Sequence, residues 1–301
     1  MTTKRALIIE QRSAVIGVIV ILFLFTGTFL CAQQSSREDV KQLVRNTIDN
    51  ELKSSHQDES RWTYRLERRE GSKASVKQVV ETKDLDVQWL LTLNGDALTP
   101  DQRQKENERL GKLINDPEEQ RKKKREQEDD DRKAIEMFKM LPEAFLYRCN
   151  SRRGSLVELV FSPNPDFRPP SREAQVFHGM EGTMWVDAEK KRLVEIDGHL
   201  VQDIEFLGGL VGHLDKGGRF MVKRAEMVPG QWVMTQLIVE VKGKALLFKS
   251  INLQQTDSMS DFRRIPADLS LVQAADMLKN SGFAQVARGL STPDGRAATI
   301  R

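Results

Sequence analysis

Between Leu85 and Leu93 the chain places an apolar residue at every second position: Leu85, Val87, Trp89, Leu91 and Leu93, with Asp86, Gln88 and Thr92 between them. A period of two puts such side chains on one face of a β-strand, and a helix cannot bury them together. The run therefore calls for a sheet with one buried and one wetter face, the habit of antiparallel sheets. Trp62, Tyr64 and Leu66 repeat the alternation, a second run covers Ala74 to Val80, and Asn94-Gly95-Asp96 supplies turn residues that close the meander.

Six further strands are expected: Leu156–Phe161, Gly182–Asp187, Arg192–Ile196, Arg219–Glu226, Trp232–Val241 and Ala245–Leu253. Turn residues fall between them at Asp187-Ala188-Glu189-Lys190, Val228-Pro229-Gly230 and Lys242-Gly243-Lys244. Short turns imply an antiparallel meander continuous with the first three strands, and a twisted sheet of about nine strands tends to curl. The expected fold is α+β: a curled antiparallel sheet, an incomplete β-barrel, with covering helices against its concave face and an inserted charged helical arm.

The helices announce themselves by caps. Ser36 and Asp39 have capping-box spacing, and Val40, Leu43, Val44, Ile48 and Leu52 keep helical spacing behind them. Thr99-Pro100-Asp101 reads as a cap and first turn, followed by Leu110, Leu113 and Ile114, with Pro117 as a break. From Glu118 to Lys133 the chain carries seven acidic and seven basic residues. Opposite charges that close cancel within a Debye length of about 8 Å, so this stretch reads as a solvated helix or helical hairpin projecting from the sheet. Ile135, Phe138, Met140 and Leu141 then return the chain to the core. After Pro266 a helix is expected over Leu269 to Leu278, and residues 281–301 look poorly ordered.

The first 32 residues have the order of a secretory signal: Lys4, Arg5 and Arg12, an apolar run from Ala14 to Leu30, then Cys31-Ala32. Three readings compete. Cleavage after Ala32 is favoured because Ala32 is small, an uncleaved anchor is allowed because about 20 apolar residues span hydrocarbon, and lipidation at Cys31 is disfavoured by Leu30. Each reading places the chain in the periplasm or cell envelope, with membrane proximity. Cleavage would leave Cys149 as a lone thiol without an internal disulfide, and no histidine lies near it in sequence. The domain plan is thus 1–32 signal or anchor, 33–58 helix and linker, 59–270 half-barrel with helical insertion 98–141, and 271–301 helix end and tail.

Little in the chain argues for chemistry. Net charge is +3, and the first 32 residues hold three of the bases and one acid, so the remainder is near neutral and no nucleic-acid partner is expected. His56, His178, His199 and His213 lack metal-ligand spacing, although sheet folding could unite His199 and His213. Neither Gly208-Gly209 nor Gly217-Gly218 makes a phosphate loop, and Asp187 with Glu195 fits two sides of one hairpin better than an acid pair. No catalytic, cofactor or metal residue is expected. The segment Ile204 to Leu214 is apolar and glycine-interrupted, which reads as a buried crossover or as a flexible lip over an apolar cavity.

The hairpin Gly182-Thr183-Met184-Trp185-Val186-Asp187 followed by Arg192-Leu193-Val194-Glu195-Ile196, with Gly217-Gly218-Arg219-Phe220 entering the next strand, resembles the periplasmic carriers that sort lipoproteins to the outer membrane. The whole chain also resembles a group of uncharacterised exported bacterial proteins with an Asn-Gly turn before a charged helix, here Asn94-Gly95. The likeness to the carriers implies an incomplete antiparallel barrel whose apolar cavity takes up acyl chains without catalysis. The charged insertion is foreign to those carriers. The expected function is a non-enzymatic binder of lipid or lipoprotein acyl chains, with Trp89, Leu91, Trp185, Phe206, Leu207, Leu210, Val211 and Trp232 as ligand-binding residues. The alternative is an adaptor that docks an envelope protein partner through the charged arm while the barrel is a filled core.

Overall fold

The computed structural model describes residues 37–206, 212–245 and 249–289. The N-terminal apolar run, with its cleavage and lipidation readings, and the tail from residue 290 lie outside them. In chain order the elements are α1 (Arg37–Gln57), β1 (Arg61–Glu70), β2 (Lys73–Val80), β3 (Val87–Leu93), β4 (Asp96–Ala97), α2 (Pro100–Asn115), α3 (Pro117–Ala144), β5 (Phe145–Arg153) and β6 (Leu156–Pro163). A short 3-10 helix (Glu173–Gly179) precedes β7 (Met180–Asp187), β8 (Arg192–Leu200), β9 (Ile204–Phe206), β10 (Gly212–Leu214), β11 (Arg219–Val228), β12 (Gln231–Ala245), β13 (Lys249–Ile265) and α4 (Leu271–Gly289).

All thirteen described strands belong to one antiparallel sheet, in the order β4-β3-β2-β1-β13-β12-β11-β8-β7-β6-β5, with the β9–β10 hairpin attached to the end of β12. The joint between the early and late strands is β1 against β13, from Arg61 opposite Ile265 to Glu70 opposite Gln255. One sheet from both halves of the chain is what the alternation required. The sheet does not close: β4 and β5 are its two ends.

The helix α3 shows that the sheet is curled. Near its start Lys124 Nζ lies 2.9 Å from Asp84, and Gln127 Oε1 accepts the Asp86 amide at 3.2 Å, both just before β3. Near its other end the Leu141 carbonyl accepts the Tyr147 hydroxyl of β5 at 2.8 Å. Gln127 to Leu141 is about 21 Å of helix at 1.5 Å per residue. Laid flat, the strand steps from β3 to β5 at about 4.8 Å each would separate those strands by roughly 43 Å. The helix is therefore the chord of an arc, and it lies on the concave side. The charged arm lies along the sheet, its middle solvated, and does not project from it as a hairpin.

Pairing carries each face across the whole sheet. Leu159, Met184, Ile196, Val222 and Leu237 stand side by side on the concave face, followed by Asp257, Arg68 and Ser75. The opposite face runs through Glu158, Trp185, Glu195, Lys223, Gln236, Ser258, Glu67 and Val76. One core, under α1 and the end of α3, contains Val44, Ile48, Phe145, Leu159, Phe161 and Met184 on the concave side. The other, under α2 and α4, contains Val80, Val87, Trp89, Leu110, Ala275 and Leu278 and lies on the convex side of β2 and β3. The covering helices thus sit on both faces at opposite ends, where the sequence led us to expect one concave layer. Each fully buried Leu, Val or Phe in these layers is worth about 1.5–3 kcal/mol.

Two sequence expectations yield to backbone geometry. A bulge at Leu91 shifts β3 against β2, so Val87 and Trp89 share the convex face with Thr92, while Leu93 pairs with Ser75 on the concave face. Lys242-Gly243-Lys244 is not a turn but lies inside β12, opposite Asn252, Ile251 and Ser250. A side chain at Gly243 would stand 2.1 Å from the His213 carbonyl, so glycine there lets β10 dock on β12. β5 was not anticipated, β13 runs on to Ile265, and α4 remains helical to Gly289, beyond the expected end at Leu278. The other turns match: Asn94 and Gly95 have φ of 54° and 91°, and Gly230 has φ 82°.

Candidate functional site

The free edge of the sheet at β5 opens onto a groove of about 740 Å³. It wraps the edge: Leu146 of β5, Val160 of β6 and Thr183 of β7 line it on the convex face, and Cys149, Phe161 and Gly182 on the concave face with Val40 of α1 beside them. Arg37, Arg148, Glu181 and His199 supply the polar rim. Leu146, which lines it, is 46 % exposed. The volume falls within the range of about 300–1,000 Å³ typical of small-molecule sites.

A glycine seat underlies this floor. Gly182 and Gly198 face each other across β7 and β8, and the Phe161 ring sits over both. A Cβ at Gly182 would meet the Asp197 carbonyl at 2.0 Å and Phe161 Cζ at 2.8 Å; one at Gly198 would meet Met180 Sδ at 2.9 Å. Phe161 in turn packs on Phe145 at a centroid distance of 4.7 Å, and Phe145 on Phe177 at 5.3 Å. The glycine that opens the Gly182–Asp187 hairpin is there to admit an aromatic ring.

α1 is fixed beside the groove by two ionic anchors. Glu143 of α3 accepts Lys41 at 2.6 Å and Arg45 at 2.8 Å, an exposed pair of contacts worth little each. Glu51 is different, because its carboxylate is buried. It accepts Arg192 Nε at 2.8 Å and Nη2 at 3.0 Å, the Leu193 amide at 2.8 Å, and the Arg224 guanidinium. Trp232 lies against Arg192 as well, 5.5 Å from its ring centroid, with Lys190 at 5.9 Å.

A second polar cluster lies on the concave side of β1–β3. Burial, then the neighbouring Asp86 charge, pushes the Glu81 carboxyl up to about 7. Burial, then Asp131 of α3, pushes Asp86 up to about 6. Tyr64, also raised mainly by burial, stacks on Phe262 at 5.1 Å beside them. Glu81 accepts the Trp62 amide at 3.0 Å. Two half-buried carboxyls with raised pKa values are what an acid site can contain. Here they face strand backbone and α3, and no cavity opens onto them among the sites described above.

The sequence-derived ligand residues are not brought together. Trp89 and Leu91 are 1 % and 4 % exposed and belong to the filled convex core under α2 and α4. Trp185 is on the convex face, 5.5 Å from the Arg153 guanidinium, whereas Trp232 is with Arg224 on the concave side. Phe206 ends β9 opposite Gly212, and Leu207, Leu210 and Val211 lie outside the described residues. None of the eight is among the described lining of the groove. Asp187 and Glu195 are also apart: Asp187 accepts the Glu189 and Lys190 amides of its turn, and Glu195 pairs with Lys223 at 3.3 Å. His213 pairs with Asp215 at 3.1 Å while His199 is at the groove, and no cluster of three metal-ligating side chains occurs among the described residues. Cys149 is disulfide-bonded, which replaces the expectation of a lone inert thiol.

Sequence reasoning missed the groove because it missed β5. The signal was present in Phe145-Leu146-Tyr147, a β-forming run ended by Gly154 with φ 62°, but it follows α3 without a break. No helix of the described chain is long and apolar enough to cross a membrane.

Comparison with known proteins gives a sparse picture. No protein-family model matches the chain, and no curated protein matches it. Among solved structures, a DUF1329 family protein from Desulfovibrio piger is a distant neighbour, at 11 % identity over 78 % of this chain and 98 % of that one, with a TM-score of 0.25.

Proposed function

We propose that this chain is a non-enzymatic protein of the cell envelope that shelters the apolar tail of a lipid or lipidated partner in the groove at β5. The supporting observation is the groove itself: about 740 Å³, lined on the convex face by Leu146 and Val160, with Arg37 and Arg148 also lining it. An apolar floor beside guanidinium groups suits an amphipathic ligand with an anionic head, because each sheltered methylene contributes about 0.8 kcal/mol and Arg binds carboxylate or phosphate in two-pronged fashion. This reading keeps the function implied by the likeness to lipoprotein carriers but moves the site. The concave face is occupied at that end by α1 and α3, so the cargo lies over the sheet edge.

A second reading, a protein–protein adaptor, draws support from α3. Its middle is exposed and its charges pair mainly within the helix, as in Lys123–Glu126 at 2.8 Å and Arg132–Asp129 at 2.7 Å. Such a face stays soluble and can dock a charged partner.

Titration with a fluorescent long-chain fatty acid separates the two. The carrier reading expects saturable, near-stoichiometric binding that weakens about tenfold or more, some 1.4 kcal/mol, in Leu146→Asp and Val160→Asp variants with native circular dichroism. Binding that is absent, or unchanged in both folded variants, overturns it.

A further inference from the structure

We infer that the free edge of β5 takes an acidic, extended segment of a partner protein as one more strand of the sheet. The two ends of the sheet differ. β4 is two residues long and offers little to a partner, whereas β5 runs for nine residues, Phe145–Arg153. Among the described residues β5 pairs with β6 on one side and with no strand on the other. Alternate residues of an edge strand turn their N–H and C=O groups outward, the template that strand addition uses.

Charge selects the partner. β5 carries Arg148, Arg152 and Arg153 and no acidic residue. All three are exposed, and none forms an ion pair with a described residue. Arg148 and Arg153, opposite Val160 and Leu156, stand on the convex face, and Arg152, opposite Val157, on the concave one. Arg153 lies 5.5 Å from the centroid of Trp185, and Arg37 of α1 is beside the same edge. On the adjoining strand Glu158 accepts Asn150 at 2.8 Å and Ser151 at 2.7 Å, and it pairs with none of the three arginines. A second copy of β5 would set the same cations against these, and like charges across a ladder repel. A strand with Glu at alternate positions instead meets Arg148 and Arg153 along one face while its backbone extends the ladder. On the other face β5 presents Tyr147 near Val40 of α1, which suits apolar residues between those acids. Strand addition of this kind is independent of what the groove shelters, because Arg152 and Arg153 are not among its described lining.

The test titrates the full chain with a fluorescein-labelled peptide of alternating Glu and Val, matched to β5 in length, and with a Lys–Val counterpart. Fluorescence anisotropy should show saturable, salt-sensitive binding of the acidic peptide and none of the basic one. Binding should weaken about tenfold or more in an Arg152→Glu/Arg153→Glu variant with native circular dichroism. Amide hydrogen exchange of the native chain, which needs no variant, should slow in β5 when the acidic peptide is bound. Absent binding, equal binding of both peptides, unchanged binding in the folded variant, or binding with no slowing in β5 would each refute strand addition. A fatty-acid titration of the same variant reports separately on the groove, and the lipid reading expects it to be unchanged.

Discussion

Replacement of Glu51 by alanine tests how α1 is held on the sheet. The Glu51 side chain is 3 % exposed and its partner Arg192 is 8 % exposed, so both ions have left water. The carboxylate takes two hydrogen bonds from Arg192, at 2.8 and 3.0 Å, one from the Leu193 amide at 2.8 Å, and one from Arg224. Removing it strands the Arg192 guanidinium in a low-dielectric site, for which the expected penalty is about 3–5 kcal/mol. Arg224 is 22 % exposed and can turn toward water, so the cost falls chiefly on Arg192. Whole domains are stable by only about 5–15 kcal/mol, so the variant should unfold at a much lower urea concentration. A Glu51→Leu/Arg192→Met double variant removes both charges and should recover much of the loss. Urea titration followed by tryptophan fluorescence and circular dichroism measures these differences. A loss below about 1 kcal/mol for Glu51→Ala would show that the pair is solvated, in the range of surface ion pairs, and that α1 is not locked by it.

Other outcomes follow from the same packing. Gly182→Ala forces a methyl group to within 2.0 Å of the Asp197 carbonyl and 2.8 Å of Phe161. Its expected cost is about 1–3 kcal/mol, read as a lower urea midpoint, and an unchanged midpoint would mean that the Phe161 seat is not tight. The Glu81 and Asp86 carboxyls titrate near 7 and 6 in the folded chain, above their ordinary values of 4.5 and 3.8, because burial disfavours their charged forms. The folded state therefore holds more protons than the unfolded one between those limits. Their contribution to stability is complete below pH 4 and is lost as pH rises through 6 and 7. The urea midpoint of the native chain should fall between pH 5 and pH 8, and Glu81→Gln should flatten that fall; an identical profile in the variant would refute the assignment.

Much of the sheet was legible because strand alternation is a local signal. Trp62, Tyr64 and Leu66 read as one strand and occupy β1, and Thr99 caps α2 as expected, with reciprocal Gln102 contacts that the structure adds. What was not legible was the face each strand presents. Val76 and Met184 are both apolar strand residues, yet pairing through the sheet sets them on opposite sides. Periodicity gives the separation of two faces but not which of them a distant helix will cover. The site was missed for a related reason. Tryptophans were taken as ligand contacts, but Trp89 fills a core beneath α2 and α4, and Trp185 and Trp232 engage cations. The groove is instead made at the sheet's free edge, by Leu146 and Val160, which stand on the convex face while α1 and the end of α3 cover the concave one.

The most direct trial of the ligand reading is mass spectrometry of an organic extract from the full chain purified out of its native envelope. If the groove holds an apolar tail, a lipid species should co-purify at close to one per protein molecule and be depleted from a folded Val160→Asp variant. A clean extract from a native preparation that still captures one defined protein partner would contradict the carrier reading and leave the adaptor in its place.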